Sequence, residues 1–136
     1  MYIYEKTIRV RYGETDQMGY VHHGNYPLYY EEGRTEMMRS MGLNYREMEE
    51  KGILLPVYSI SIRYIEPARF DDILRLRVII KELPTAKIRF FYELYNEQDK
   101  LINTAETILV FVDSQTRKPR RPPEAFMKKL NLIFND

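Results

Sequence analysis

The run YPLYYEEGRTEMMRSMG, from Tyr26 to Gly42, constrains this chain most, because it is the main helical pattern and stands ahead of a series of strand-like segments. Tyr26, Tyr29, Tyr30, Gly33, Met37 and Met41 fall near one face at helical spacing. Pro27 sits in the first turn, where its missing N–H is tolerated, and Gly42 supplies the stop. Gly33 lies inside the helix at a cost of about 1 kcal/mol relative to Ala, which predicts close contact with a sheet or a second subunit. Asn44 followed by Glu47 has capping-box spacing, so a short second helix is expected from Tyr45 to about Glu50, ending at Gly52.

Period-two alternation of Ile8, Val10 and Tyr12 with Arg9 and Arg11 predicts a first strand running from Ile8 to Tyr12. Later strands are expected over Leu54 to Glu66, Ile73 to Lys81, Lys87 to Asn96 and Leu101 to Asp113, separated by the turn-like segments EPARFDD, ELPTA and NEQDK. The last three read as an antiparallel meander. Pro119, Pro122 and Pro123 then break the chain, and EAFMKKLNLIF places Phe126, Leu130 and Ile133 or Phe134 on one face of a closing helix. A strand, an aromatic helix and a meander make an α+β domain whose sheet wraps one face around the helix. The 136 residues suit one domain, 1–136.

Charge and composition remove several functions. With 21 Lys and Arg against 20 Asp and Glu, the net charge of +1 provides no bulk field for nucleic acid. The absence of cysteine excludes disulfides, thiolate catalysis and cysteine metal sites. No apolar stretch has signal-peptide or membrane-span length, so a cytoplasmic protein without membrane association is expected. What remains is the loop RYGETDQMGYVHHGNY, Arg11 to Tyr26, which gathers Tyr12, Asp16, His22, His23 and Asn25 among Gly13, Gly19 and Gly24 just before the helix. Folding alone does not need those polar groups there, which marks an active-site loop. Taken locally, Asp16 reads as a turn residue bonding the backbone of Met18, Tyr12 as a strand aromatic, and His23 as a helix-end histidine. A metal on His22, His23 and Asp16 is not expected, since adjacent side chains seldom converge on one ion and there is no further histidine.

The pattern Tyr12, Asp16, Gly19, Val21, His23, Asn25, Tyr26, continued by Glu31, Arg34, Thr35 and Glu36 and later by IEPARFDDILRLRV, resembles the hotdog fold and, within it, the 4-hydroxybenzoyl-CoA thioesterase-like group that includes YbgC-type proteins. The resemblance covers nearly the whole chain. It implies a long central helix wrapped by a curved antiparallel sheet, hydrolysis of acyl-CoA without a cofactor, and Tyr12, Asp16 and His23 as the catalytic set. Asp16 would act as nucleophile or as the base that activates water. The amide matching His23 is the one that polarises the thioester carbonyl in such relatives, which suits the unpaired amides of a helix start. Gly24 stands where many relatives carry Ala, and His22 where many carry an aromatic residue. The dehydratase run HFPxxPxxPG is absent, as is the hydratase spacing of Asp and His.

Other residues complete the expected site. Asn25 is read as the helix cap, accepting from the amides of Leu28 or Tyr29. Tyr26 and Glu31 belong to the substrate-side pattern, Glu31 reaching a site across a subunit boundary or lying on a solvated face. The basic cluster Arg117, Lys118, Arg120 and Arg121, joined by Lys87 and Arg89, is the best local anion site for coenzyme A phosphates. Acyl carrier protein is the closest alternative thioester donor, and a noncatalytic acyl-thioester binding module the alternative of another class. Edge strands of a small sheet call for pairing with a second copy, so a homodimer or a homotetramer is expected.

Overall fold

A computed structural model of the chain describes residues 1–135; position 136, the end of the expected domain span, lies outside them. Strands β1 (Tyr2–Arg9), β2 (Ile53–Leu54), β3 (Val57–Tyr64), β4 (Ile73–Ile80), β5 (Lys87–Tyr95), β6 (Leu101–Val110) and β7 (Val112–Asp113) combine with helices α1 (Tyr26–Ser40), α2 (Tyr45–Glu50) and α3 (Glu124–Phe134). The main sheet has the order β1-β4-β5-β6-β3, and all its neighbours are antiparallel. The expected meander is therefore its centre.

Alternation decides which face of the sheet meets the helix. Leu74, Leu76, Val78 and Ile80 of β4 and Ile88, Phe90, Tyr92 and Leu94 of β5 are buried, each worth roughly 1.5–3 kcal/mol for the larger apolar side chains. Helix α1 lies on that face. Its Tyr30 meets Tyr92 with ring centroids 4.5 Å apart and donates to the Asn103 side chain on β6. Gly33 is explained by the closest approach: a Cβ there would stand 2.5 Å from Leu76 Cδ2 and 2.8 Å from Val78 Cγ2. Only a hydrogen atom fits, so the contact foreseen for Gly33 is with the sheet. The buried stripe is wider than the spacing indicated, since Met38 and Arg34 are buried as well. The guanidinium of Arg34 rests beside the hydroxyls of Tyr45 and Tyr92.

The helix boundaries follow their punctuation. Gly42, with φ of +83°, takes the left-handed position just past α1. Asn44 Oδ1 accepts from the amides of Arg46 at 2.8 Å and Glu47 at 3.4 Å, which caps α2. In α3, Phe126 and Leu130 are buried while Ile133 and Phe134 both pack against the core edge.

Three strand expectations are corrected. The first strand is Tyr2–Arg9 and does not reach Tyr12; Val10 bonds instead to Asp71 and Asp72, and Tyr12 opens a 3-10 turn, Tyr12–Glu14. Leu54 to Glu66 is not one strand, because Pro56 interrupts it, leaving β2 to pair with β7 and β3 to pair with β6. Leu101 to Asp113 likewise divides at Phe111, whose amide turns to the carbonyl of Ala86 at 2.8 Å. Strand β3 forms one edge of the sheet and leaves Val57, Tyr58, Ile60 and Tyr64 exposed. Among the described residues no helix is long and apolar enough to cross a membrane.

Candidate active site

The loop between β1 and α1 is a small hairpin followed by a helical turn. Thr15 bridges to Val21, the Asp16 amide donates to the Tyr20 carbonyl at 2.7 Å, and the turn closes with the Gly19 amide on the Asp16 carbonyl at 3.0 Å. Asp16 Oδ1 accepts from the Met18 amide at 2.9 Å and the Tyr20 amide at 3.2 Å. The Asx turn read from the local sequence is therefore present. It occupies one oxygen only, and Oδ2 has no hydrogen-bond partner among the described residues.

A 3-10 turn, His23–Asn25, then leads into α1. Its amides are nearly all used: that of Gly24 donates to His22 Nδ1 at 3.1 Å, that of Asn25 to the His22 carbonyl at 2.9 Å, and His22's own amide to the Glu14 carbonyl at 2.9 Å. Among the described residues the His23 amide has no acceptor. The rings of His22 and His23 stack with centroids 4.3 Å apart. From the far end of β3, Tyr64 donates its hydroxyl to the His23 carbonyl at 3.0 Å and sets its ring edge-on to Tyr26 at 5.3 Å. Asp16, His23, Tyr26, Tyr64, Ile65 and Pro67 line one open groove of about 400 Å³.

The remaining expected residues are distributed elsewhere. Tyr12 is 77% exposed, sets its ring edge-on to Phe70 at 5.5 Å, and does not line the Asp16 groove of its own chain. Asn25 does not cap the helix through its side chain; Nδ2 reaches back to donate to the Glu14 carbonyl at 2.7 Å, because the preceding 3-10 turn already occupies the cap position. Glu31 borders a separate groove with Arg9, Arg11, Glu14 and Tyr29. Arg120 and Arg121 line a larger groove of about 870 Å³ with Pro84, Thr85 and Ala86. Arg117 and Lys118 belong to the turn leading there, where the Asp113 carboxylate accepts from the amides of Gln115 and Thr116 at 2.9 Å. Those bonds hold the Asp113 carboxyl below the usual range. Arg89 pairs with Glu106 at 3.0 Å and does not line the groove of Arg120 and Arg121, and Lys87 covers the Tyr58 ring at 4.5 Å.

Tyr64 lies at one end of β3, in the Asp16 groove, whereas Tyr58 lies at the other, under Lys87. An 8-residue strand at about 3.3 Å per residue therefore separates the Asp16 loop from the basic segment by roughly 25 Å. Two residues of the site were not foreseen. Tyr64 is distant in sequence, and only the register of β3 brings it to His23. Glu14 looks like any loop carboxylate, yet it is the most heavily bonded residue of the loop. Burial opposes its ionisation, but the Arg11 amide, the Tyr29 hydroxyl and the Arg11 guanidinium outweigh burial and hold its carboxyl below the ordinary value. Burial and the neighbouring Glu14 push the Tyr29 hydroxyl upward, so it stays protonated as the donor. Among the described residues no cluster of three or more His, Cys, Asp or Glu side chains is arranged to hold a metal.

Comparison with known proteins gives the same reading of the architecture. Residues 10–130 match the family described as the thioesterase-like superfamily. The Bacillus subtilis protein YneP is 36% identical over 126 residues, covering 93% of this chain and 91% of that protein. The acyl-CoA thioester hydrolase YbgC of Escherichia coli O157:H7 is 32% identical over 120 residues, covering 88% and 90%. The crystal structure of the DHNA-CoA thioesterase from Staphylococcus aureus superposes with a TM-score of 0.89 at 28% identity, covering 99% of this chain and 95% of that one. The antiparallel sheet laid on α1 is thus the hotdog arrangement that the sequence pattern implied.

Proposed function

The chain belongs to the thioesterase-like superfamily and is a thioester hydrolase, and from that premise we propose that it cleaves acyl-CoA to free acid and CoA with Asp16 as the reacting carboxylate. The observation that carries this reading is the division of labour at Asp16: Oδ1 is pinned by two amides while Oδ2 has no partner among the described residues, in a groove also lined by His23, whose amide likewise has no acceptor among them. Oδ2 attack on the thioester carbon expels the CoA thiolate and leaves a mixed anhydride that water opens. Alternatively, Oδ2 takes a proton from water, and the resulting hydroxide adds to the same carbon and expels the same thiolate. Both routes build negative charge on the carbonyl oxygen, and we assign its stabilisation to the His23 N–H, which has no acceptor among the described residues. A thiolate leaves without needing a proton at neutral pH, so the site requires no general acid. The His23 imidazole positions water or substrate, while Tyr12, exposed and outside the Asp16 groove of its own chain, would have to enter the catalytic set from a second copy.

The exposed edge of β3 supplies the substrate's other end. Antiparallel pairing of two copies along this strand brings the Arg117–Arg121 segment of one copy toward the Asp16 groove of the other, closing the roughly 25 Å gap that exists within one chain. The phosphates of CoA then meet Arg120 and Arg121 while the thioester lies at Asp16. A homodimer is the least assembly this requires, and two such dimers make a tetramer.

The deciding experiment follows thiol release from short, medium, long and aromatic acyl-CoAs, with Asp16→Asn as the matched control. Turnover by the parent protein that disappears in Asp16→Asn supports the assignment; unchanged turnover removes Asp16 from it. A burst of thiol ahead of acid identifies the anhydride route. No thiol release from any acyl-CoA, together with cleavage of an acyl carrier protein thioester, moves the donor to carrier protein; binding without cleavage of either makes the chain a ligand-holding module.

A further inference from the structure

Glu14 lies two residues before Asp16 and does not line its groove, yet it bonds the loop's entry at Arg11, its exit at His22 and Asn25, and α1 at Tyr29. Its Oε1 accepts from the Arg11 amide at 2.8 Å and from the Tyr29 hydroxyl of α1 at 2.8 Å. Its Oε2 takes the Arg11 guanidinium, with Nε at 3.2 Å and Nη2 at 3.0 Å. Its backbone carbonyl accepts from Asn25 Nδ2 at 2.7 Å and from the His22 amide at 2.9 Å. One residue therefore ties the loop's entry at Arg11, the side of α1 at Tyr29 and the turn that starts α1. The carboxylate is largely covered, with 15% of its side chain exposed. Folding does not need so dense a junction at a surface loop. A hydrophobic residue there would avoid desolvating a charge but would leave the hydroxyl of buried Tyr29 and the Arg11 amide without this acceptor, so what the carboxylate supplies is the junction itself.

We propose that Glu14 is a positioning residue for thioester hydrolysis, its side chain fixing the loop on α1 so that its carbonyl, through His22 and Asn25, sets the His23 amide against Asp16. The inference rests on the hydrolase reading given above. The mechanical argument is short. Asp16 is held by the Met18 and Tyr20 amides of its own hairpin, so it moves with that hairpin as a unit. The His23 amide moves with the start of α1. Thr15 to Val21 and His22 to Glu14 are the backbone links between the two. Val21 N on the Ala68 carbonyl, the Tyr20–Arg69 bridge and Tyr64 on the His23 carbonyl tie them to the sheet side, and among the described residues the Glu14 side chain supplies the hydrogen bond from that junction to the body of α1. Releasing it leaves both reacting groups present but lets their separation vary, and misplacement of about 1 Å is enough to cost on the order of 100-fold in rate.

The test compares Glu14→Ala, Glu14→Gln, Tyr29→Phe and Glu14→Ala/Tyr29→Phe in the full chain, reading kcat, KM, thermal midpoint and amide hydrogen exchange over residues 22–25. Glu14→Ala is expected to lower kcat by about 10- to 100-fold while KM changes less than about threefold. Tyr29→Phe removes one of the bonds and lowers kcat less, and adding it to Glu14→Ala lowers kcat no further, since the shared bond is already gone. Glu14→Gln keeps an acceptor for the Arg11 amide and Tyr29 and recovers most of kcat. A kcat for Glu14→Ala within about twofold of the parent, or a loss explained wholly by a lower thermal midpoint, overturns the inference. Should the parent release no thiol from any substrate, the hydrolase reading fails separately and exchange decides. Amides 22–25 exchanging about 10-fold faster in Glu14→Ala support the anchor, and unchanged exchange refutes it.

Discussion

The Asp16 loop and the Arg117–Arg121 segment are both turns rich in polar residues, lying near opposite ends of β3, and they are built by opposite means. In the first, side chains are consumed in holding backbone: Asp16 Oδ1, His22 Nδ1, Asn25 Nδ2 and the Glu14 carboxylate all bond within the loop or to α1. In the second, the Asp113 carboxylate holds the amides that open the turn, but the basic run itself is held mainly through backbone, with Arg120 N on the Phe111 carbonyl at 2.8 Å and Asp113 N on the Lys118 carbonyl at 2.9 Å, leaving basic side chains at the surface. The difference suits the roles proposed for the two ends. Bond-breaking tolerates little misplacement, whereas attraction between a phosphate and a guanidinium falls off gently with distance and forgives an ångström.

The largest effect expected from this contrast is at Asp16. Asp16→Asn keeps the Oδ1 acceptor for Met18 and Tyr20 but loses the reacting carboxylate, so kcat should fall by about 10³-fold with KM changed little, measured by thiol release. Next is Gly33→Ala, which forces a methyl against Leu76 and Val78. Overpacking of about 1–3 kcal/mol should exceed the helix-propensity gain of about 1 kcal/mol, lowering the denaturant midpoint and loosening the helix that anchors the chemical end. At the other end, Arg120→Ala/Arg121→Ala should raise KM by about 10-fold with kcat nearly unchanged, and the rise should shrink as salt is added. A fall in kcat as large as the rise in KM would break the contrast, because it would give the basic end a part in the chemistry.

The smallest effect concerns acid. Glu14's carboxyl is held below its ordinary value in the folded chain, so the unfolded chain binds more protons once pH falls into the ordinary carboxylate range. Its contribution to stability is complete above that range and is lost as pH falls through the folded value. Thermal midpoints measured on acidification should therefore drop less for Glu14→Gln than for the parent protein.

Much of the scaffold was legible because it depends on local rules. Pro27, Gly42, Asn44 and the patterns of β4 and β5 act through neighbours a few residues away, and those elements formed close to where the pattern put them. The failures share a cause. Val10 leaves its strand to bond Asp71 and Asp72, Tyr64 reaches His23, and Asn25 turns back to Glu14, each answering a partner that periodicity cannot see. The candidate loop stood out through its unusual collection of side chains, but the partner each takes was hidden, since a hydrogen bond to a carbonyl 11 residues away leaves no spacing signal.

The exposed edge strand gives this fold one more property. If competence arises only when two β3 strands lie side by side, dilution acts as an inhibitor: specific activity per chain declines as the protein is diluted below its dissociation constant, with no change in any single chain. Substrate reverses that decline, because a ligand spanning both copies binds the pair and not the separated halves, so acyl-CoA assembles the enzyme that destroys it.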